Sequence, residues 1–251
     1  MVYVLTLLML FTFLILVGMI RPEPVEQKAR AFSTRTVLAG LEYVFRTRLL
    51  LGSISLDLFA VMLGGATALL PIFATDILHA GPRGLGLLRA MPSVGALIVS
   101  LVLVARPIRR RAGATMLTCV AIYGVSTIIF GLSRNLYLSL FALLIIGASD
   151  MFSVVVRSSM LQLATPPEMR GRVSAVNWLF VGASNEFGEF ESGLTAHWWG
   201  AVRAVVIGGI GSLLVTTSAA ILFPQLRKAD ALTTESLQNA ERELATAEPI
   251  D

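Results

Sequence analysis

Ionisable and amide side chains interrupt segments of this chain that are otherwise apolar, and residues 150 to 193 hold most of them. Asp150 and Arg157 lie in one apolar run, and Asn177, Asn185, Glu186, Glu189 and Glu191 lie in the next. Asp57 stands in an earlier run among Leu56, Leu58 and Phe59. A charge at bilayer depth costs about 3 kcal/mol or more unless it faces protein or water, so this many point to a lined interior cavity. The chemistry they offer is proton exchange and the holding of polar cargo. Bond breaking is poorly served: Glu186 with Glu189 is the best acid/base pair, and no nucleophile or metal set accompanies it. His79 and His197 are far apart, and Cys119 is the single cysteine, so neither a zinc cluster nor an intrachain disulfide is available. An enzyme is not expected, nor is a cofactor.

Spacing leaves two readings at each position. Asp150 and Arg157 are seven apart, about two turns, and share a helix face. Either Asp150 exchanges a proton while Arg157 tunes it, or Arg157 snorkels to the cytoplasmic interface and Asp150 pairs with a neighbouring helix. Asn185 and Glu189 are four apart with Glu186 beside them, which makes a stripe of one amide and two carboxylates. That stripe either couples to protons or a cationic cargo group, or faces external water, as Glu191 does more readily. Asp57 is either functional, with Arg157 or a residue outside the chain as partner, or a buried hydrogen-bond acceptor. Asn177 joins these candidates as a polar group inside the same run.

The elements that must position these groups follow from composition. The chain is 55% hydrophobic and 14% charged, and its mean hydropathy is +0.78. One globule of 251 residues cannot hide that much apolar surface, so a multi-span membrane protein is expected. Seven spans are predicted: residues 1–20, 49–72, 85–105, 113–132, 136–157, 173–193 and 202–223. No basic residue precedes the first run and Arg21 follows it, which favours a retained span over a signal peptide. Residues 21–48 carry six Lys or Arg and apolar positions at helical spacing, read as an amphipathic helix at the membrane surface or as a solvated linker.

Basic residues cluster in alternate loops, including Arg106, Arg109, Arg110 and Arg111, then Arg170 and Arg172, then Arg227 and Lys228. The positive-inside rule places these loops and the tail 224–251 in the cytoplasm. The same distribution argues against nucleic acid as a partner, because the basic residues do not form one soluble face. Arg170 and Arg172, with Pro166 and Pro167, form either a plain cytoplasmic turn or a gate. Ser184, Gly188 and Ser192 recur every four residues, the small-residue pattern of close helix contact, and Gly208, Gly209 and Gly211 extend it to the last span. An odd span count is natural for a piece of a twelve-span protein whose first five spans are absent.

Four passages carry a family resemblance: GPRGLGLLRAMPSVGALIVSLVLVARP (81–107), LLIIGASDMFSVVVRSSMLQLATPPEMRGRVSAVNWLF (143–180), VGASNEFGEFESG (181–193) and FPQLRK (223–228). The chain resembles the C-terminal half of a major facilitator superfamily transporter, in the bacterial branch that includes the enterobactin exporter. The generic facilitator loop signature is half present: Arg106, Pro107, Arg109, Arg110 and Arg111 supply its basic part and no Asp precedes them. The resemblance implies an all-α fold of two pseudo-symmetric halves rocking about a central cavity, in the bacterial inner membrane, with proton-driven export. It makes Arg109, Arg110, Arg111, Arg170 and Arg172 candidates for loop gating. The expected function is therefore efflux of a small amphipathic compound such as a siderophore or drug, with the absent half or self-association needed to complete the cavity. The alternative is a truncated, non-transporting membrane protein or scaffold.

Overall fold

The computed structural model describes residues 2–19, 34–106, 112–224 and 226. The chain divides into two units, Met1–Ser33 and Thr34–Asp251. The first contains one apolar helix, α1 (Val2–Met19), whose large apolar side chains from Leu7 onward are exposed. Its Thr12 donates its hydroxyl hydrogen to the Leu8 carbonyl at 2.8 Å, so the one polar side chain at mid-helix is met within the helix.

The second unit runs α2 (Thr34–Arg46), α3 (Arg48–Leu63), a 3-10 turn (Ala66–Leu69), α4 (Leu70–Ile72), a π turn (Phe73–Ile77), α5 (Gly81–Ala105), α6 (Ala112–Leu132), α7 (Leu136–Ala164), α8 (Arg170–Trp199) and α9 (Ala201–Leu222). Every regular element among the described residues is helical, the arrangement hydrocarbon imposes on a backbone that must bond to itself. Five stretches are long and apolar enough to cross a membrane: Arg48–Ile77, Gly81–Ala105, Ala112–Leu132, Leu136–Ala164 and Ala201–Leu222. Thr6–Met19 is a shorter apolar stretch. α8 is 30 residues long, but its amide and carboxylate groups dilute its hydropathy.

Each of the seven expected runs falls on helix, the second of them interrupted at Gly64 and Gly65, and several boundaries move outward. α7 continues to Ala164 instead of ending at 157, and α8 occupies Arg170–Trp199 instead of 173–193. A helix does not stop where hydropathy falls; it stops at a backbone signal. For α7 these signals are the Asn135 side chain capping the Tyr137 and Leu138 N–H groups at its start and the extended Thr165 at its end. Within the basic segment 21–48, α2 forms from Thr34. Its Val44 is buried, and Tyr43 donates to the Ala164 carbonyl at 2.7 Å, which fastens α2 to the end of α7. Residues 20–33 and 227–251 lie outside the described residues.

α5 packs on α7, α7 on α6, α6 on α9, and both α8 and α9 on α3. Two apolar cores fill the ends of this bundle. Leu50, Ile54, Met116, Val156, Met160 and Val173 build one near the basic loops. Phe73, Phe130, Leu143 and Val205 build the other, with the two phenyl rings stacked at 4.5 Å. Small residues set the closest approaches: a Cβ on Gly95 would meet the Leu144 carbonyl, and one on Gly147 would meet the Pro92 backbone.

The second span is broken. Gly64 and Gly65 end α3, so backbone groups at the break lose their helical partners. Tyr123 of α6 donates its hydroxyl hydrogen to the Gly64 carbonyl at 3.0 Å, and Ser212 of α9 donates to the Ala60 carbonyl at 2.8 Å. Gly188 of α8 lies against the Met62 backbone and Gly208 of α9 against the Leu63 carbonyl, so the small-residue positions of both helices clasp the break.

Gly147→Ala is expected to overpack the α5–α7 contact and destabilise the protein by about 1–3 kcal/mol. Gly171→Ala, where a Cβ meets nothing within 4 Å, should stay within about 0.5 kcal/mol. Thermal unfolding of the two variants in mild detergent separates the cases.

Candidate functional site

Arg157 lies about one-quarter of the way along α7 from the end that bears the basic loops. It is seven residues before the end of α7, about 10 Å of helix rise. Asp57 is nine residues after the start of α3 and Asn177 seven after the start of α8, so all three reach one layer at about 10–13 Å. Arg157 is 2% exposed, Asp57 5% and Asn177 8%. The Arg157 Nη2 meets Asp57 Oδ2 at 3.1 Å, and its Nη1 donates to Asn177 Oδ1 at 2.9 Å. One planar guanidinium therefore joins three helices in a geometry that a lysine, with its single ammonium, does not reproduce.

The reading in which Arg157 snorkels to the interface is corrected here, because α7 extends two turns further than hydropathy suggested and its side chain turns inward. Its ion-pair partner is Asp57, exactly one hundred positions away in sequence, and not Asp150.

Asp150, two turns earlier on α7, is half-buried and has no hydrogen bond or ion pair among the described residues. It lines a cavity with room for about one water molecule, together with Asp57, Tyr123, Ser149 and Ser153. Ser153 Oγ lies near the Asp57 carboxylate but forms no well-aligned hydrogen bond there or elsewhere. The Arg157 Nε is likewise buried without a partner. The cluster thus holds one cation and two carboxylates around a water-sized space, with one carboxylate uncompensated and donors in reserve.

Other expected positions lie elsewhere. Asn185, Glu186 and Glu189 are exposed, turned away from the stripe of buried Ser184, Gly188 and Ser192. Glu191 is half-buried and accepts from the Thr195 hydroxyl at 2.9 Å. Arg170 is exposed and donates from Nε to the Thr165 carbonyl at 3.1 Å, bracing the turn after α7, while Arg172 Nη1 lies 3.3 Å from Met169 Sδ. Arg109, Arg110 and Arg111 fall outside the described residues. Sequence reasoning did not single out Tyr123, Ser149 or Ser153, which flank the carboxylates, nor Arg89, an exposed cation within the apolar α5. Ser149 and Ser153 at i−1 and i+3 of Asp150 were the available signal; for Tyr123 there was none short of the fold.

A polytopic helical bundle whose interior carries paired and unpaired charges defines a membrane transporter. A family profile described as transmembrane secretion effector matches residues 1–249. The chain belongs to this family of major facilitator transporters, a multi-pass membrane protein of the efflux type. No match was found among curated proteins.

Removing one member of the buried pair, as in Asp57→Leu or Arg157→Met, is expected to cost about 3–5 kcal/mol by stranding the other charge. The double variant should recover most of that loss, since two apolar side chains need no partner. Detergent thermal stability measured across this double-mutant cycle checks the coupling.

Proposed function

We propose that this chain supplies the C-terminal half of a proton-coupled exporter of small amphipathic compounds, in a bacterial inner membrane with its C-terminus in the cytoplasm. The observation that carries this reading is the buried guanidinium held by Asp57 and Asn177 beside the unpartnered Asp150. A buried ion pair is weak as a stability device, because apolar side chains of similar volume serve as well or better. Its presence, with a further carboxylate against a water-sized cavity, is better suited to moving charge than to holding the fold together.

Coupling then has a simple form. With Asp150 ionised, the guanidinium is attracted by two carboxylates, and with Asp150 protonated only Asp57 competes for it. The balance of forces between α3, α7 and α8 changes with one proton, and a helix arrangement that both proton and cargo bias is what exchange transport requires. Substrate class rests on family analogy: a siderophore or drug-like compound of the kind handled by the enterobactin-exporter branch. Arg170 and Arg172 brace the cytoplasmic turn in this scheme. The bilayer and a second wall of the cavity complete the transport path.

Asp150→Asn is expected to abolish pH-gradient-driven efflux while leaving folding intact, and Asp150→Glu to retain a measurable fraction of it. Transport of a fluorescent amphipathic probe by the reconstituted transporter with both walls of the cavity present, with and without an imposed pH gradient, reads this directly. Unchanged gradient dependence in Asp150→Asn removes the residue from coupling.

A further inference from the structure

Two arginines meet at the end of the bundle away from the basic loops. Arg134 lies two residues beyond the end of α6, and Arg203 is the third residue of α9. Both line a groove of about 510 Å³ with Ile72, Ile77, Trp199 and Gly200, and no acidic residue lines it. The ion pairs among the described residues are Glu42–Arg46 and Asp57–Arg157, so neither guanidinium has a counter-charge there. Gly200, at φ 84°, joins α8 to α9 in a single residue, and α9 starts without a side-chain cap. Its first-turn N–H groups are therefore further donors at the groove. Arg134 is held in place by its loop, where the Ser133 hydroxyl donates to the Asn135 carbonyl at 3.0 Å and accepts from the Ser139 hydroxyl at 2.9 Å. Trp198 and Trp199 beside the groove are side chains that favour the headgroup level of a bilayer.

The helices leading to the groove add an apolar track. α6 and α9 pack together, with Gly124 against the Gly209 carbonyl and Leu213, Gly209 against Ile128, and Gly131 against Val205 and Val206. On α6, Ile122, Val125, Ile129 and Leu132 are exposed at steps of three and four. On α9, Ile207, Ile210 and Leu214 are exposed and continue the line of Arg203 at the same spacing. Each stripe follows the contact positions by one residue, a turn of about 100°. The two helices run in opposite directions, since α6 ends and α9 begins beside the groove, so these turns bring both stripes to the same side of the pair. Exposed apolar side chains are general in a bilayer protein. What marks this pair is an arginine at the groove end of each stripe.

We propose that the groove binds the phosphodiester headgroup of an anionic phospholipid, held between Arg134 and Arg203, with its two acyl chains lying along the α6 and α9 stripes. A guanidinium meets phosphate oxygens through parallel N–H donors, so two arginines can hold one phosphodiester from both sides. Phosphatidylcholine brings a quaternary ammonium into the same positive field and is disfavoured. A soluble anion gains nothing from the stripes. Every wall of the groove comes from the Thr34–Asp251 unit, so its shape is set within that unit. The inference uses only that the chain spans a bilayer, and it is independent of proton coupling at Asp150.

Thermal unfolding of the full chain in mild neutral detergent, with lipid titrated in, tests it. Phosphatidylglycerol should raise the unfolding temperature in a saturable way. Phosphatidylcholine and inorganic phosphate should bind about tenfold less tightly or worse. Arg134→Gln/Arg203→Gln should weaken phosphatidylglycerol binding by about tenfold or more. Arg83→Gln, which changes an exposed arginine at the same end of the bundle but outside the groove, should bind as the native chain does. Equal stabilisation by phosphatidylcholine or by inorganic phosphate overturns the proposal, as does undiminished binding in the double variant or an equal loss in Arg83→Gln. A photo-reactive phenylalanine analogue in place of Ile207 gives a second reading in native membranes, with Arg134 and Arg203 intact. It should label phospholipid, and labelling of another polypeptide in its place, a second copy included, also overturns the proposal.

Discussion

A guanidinium cannot be left alone in a medium that does not solvate it, and the lower part of this bundle is arranged around that fact. Arg157 projects from α7 with its donors spread in a plane, and among the described residues the oxygens that satisfy two of them come from other helices, Asp57 on α3 and Asn177 on α8. The register of three helices is fixed together as a result: sliding α8 by one residue would carry Asn177 about 1.5 Å along its axis and turn it away from the arginine. Ile54, Val156, Met160, Val173 and Val176 belong to the buried apolar core of the same helices, and a low-dielectric interior strengthens the electrostatic interaction.

The opposite constraint governs the break in the second span. There the problem is backbone rather than side chain, and it is solved by proximity: Tyr123 and Ser212 bring hydroxyls to carbonyls, and Gly188 and Gly208 bring whole helices close enough to close the gap. Tyr123 also lines the Asp150 cavity, so one side chain takes part in both the backbone repair and the ionisable site. The fold and the candidate coupling group are therefore joined through a phenol.

Much of this was legible in the sequence because hydrocarbon admits few answers. Apolar runs with basic loops between them read as helices, and each run is helical, though the second is broken at Gly64 and Gly65. The small-residue spacing at Ser184, Gly188 and Ser192 read as close contact, and these residues are buried against α3. Helix ends were less legible, because hydropathy reports where lipid is tolerated, whereas Asn135 and Thr165 decide where hydrogen bonding begins and ceases. The partner of Arg157 was not decidable from spacing: Asp150 shares its helix face, and Asp57 is joined to it only by the packing of α3 against α7. Arg89 escaped notice because a cation inside the limits of an apolar run, near its start, was read with the run and not with the loops.

The discontinuity at Gly64 and Gly65 also has a mechanical meaning. A continuous helix of 30 residues resists bending along its whole length, and a force on one end tilts the other. Here the segment bearing Asp57 is anchored by an ion pair, while the segment beyond the two glycines rests on stacked rings, Phe73 on Phe130, and on short turns. The joint between them is closed by the Tyr123 and Ser212 hydroxyls and by the approach of Gly188 and Gly208. One span is thus secured in two different ways, by charge before the two glycines and by side-chain packing after them.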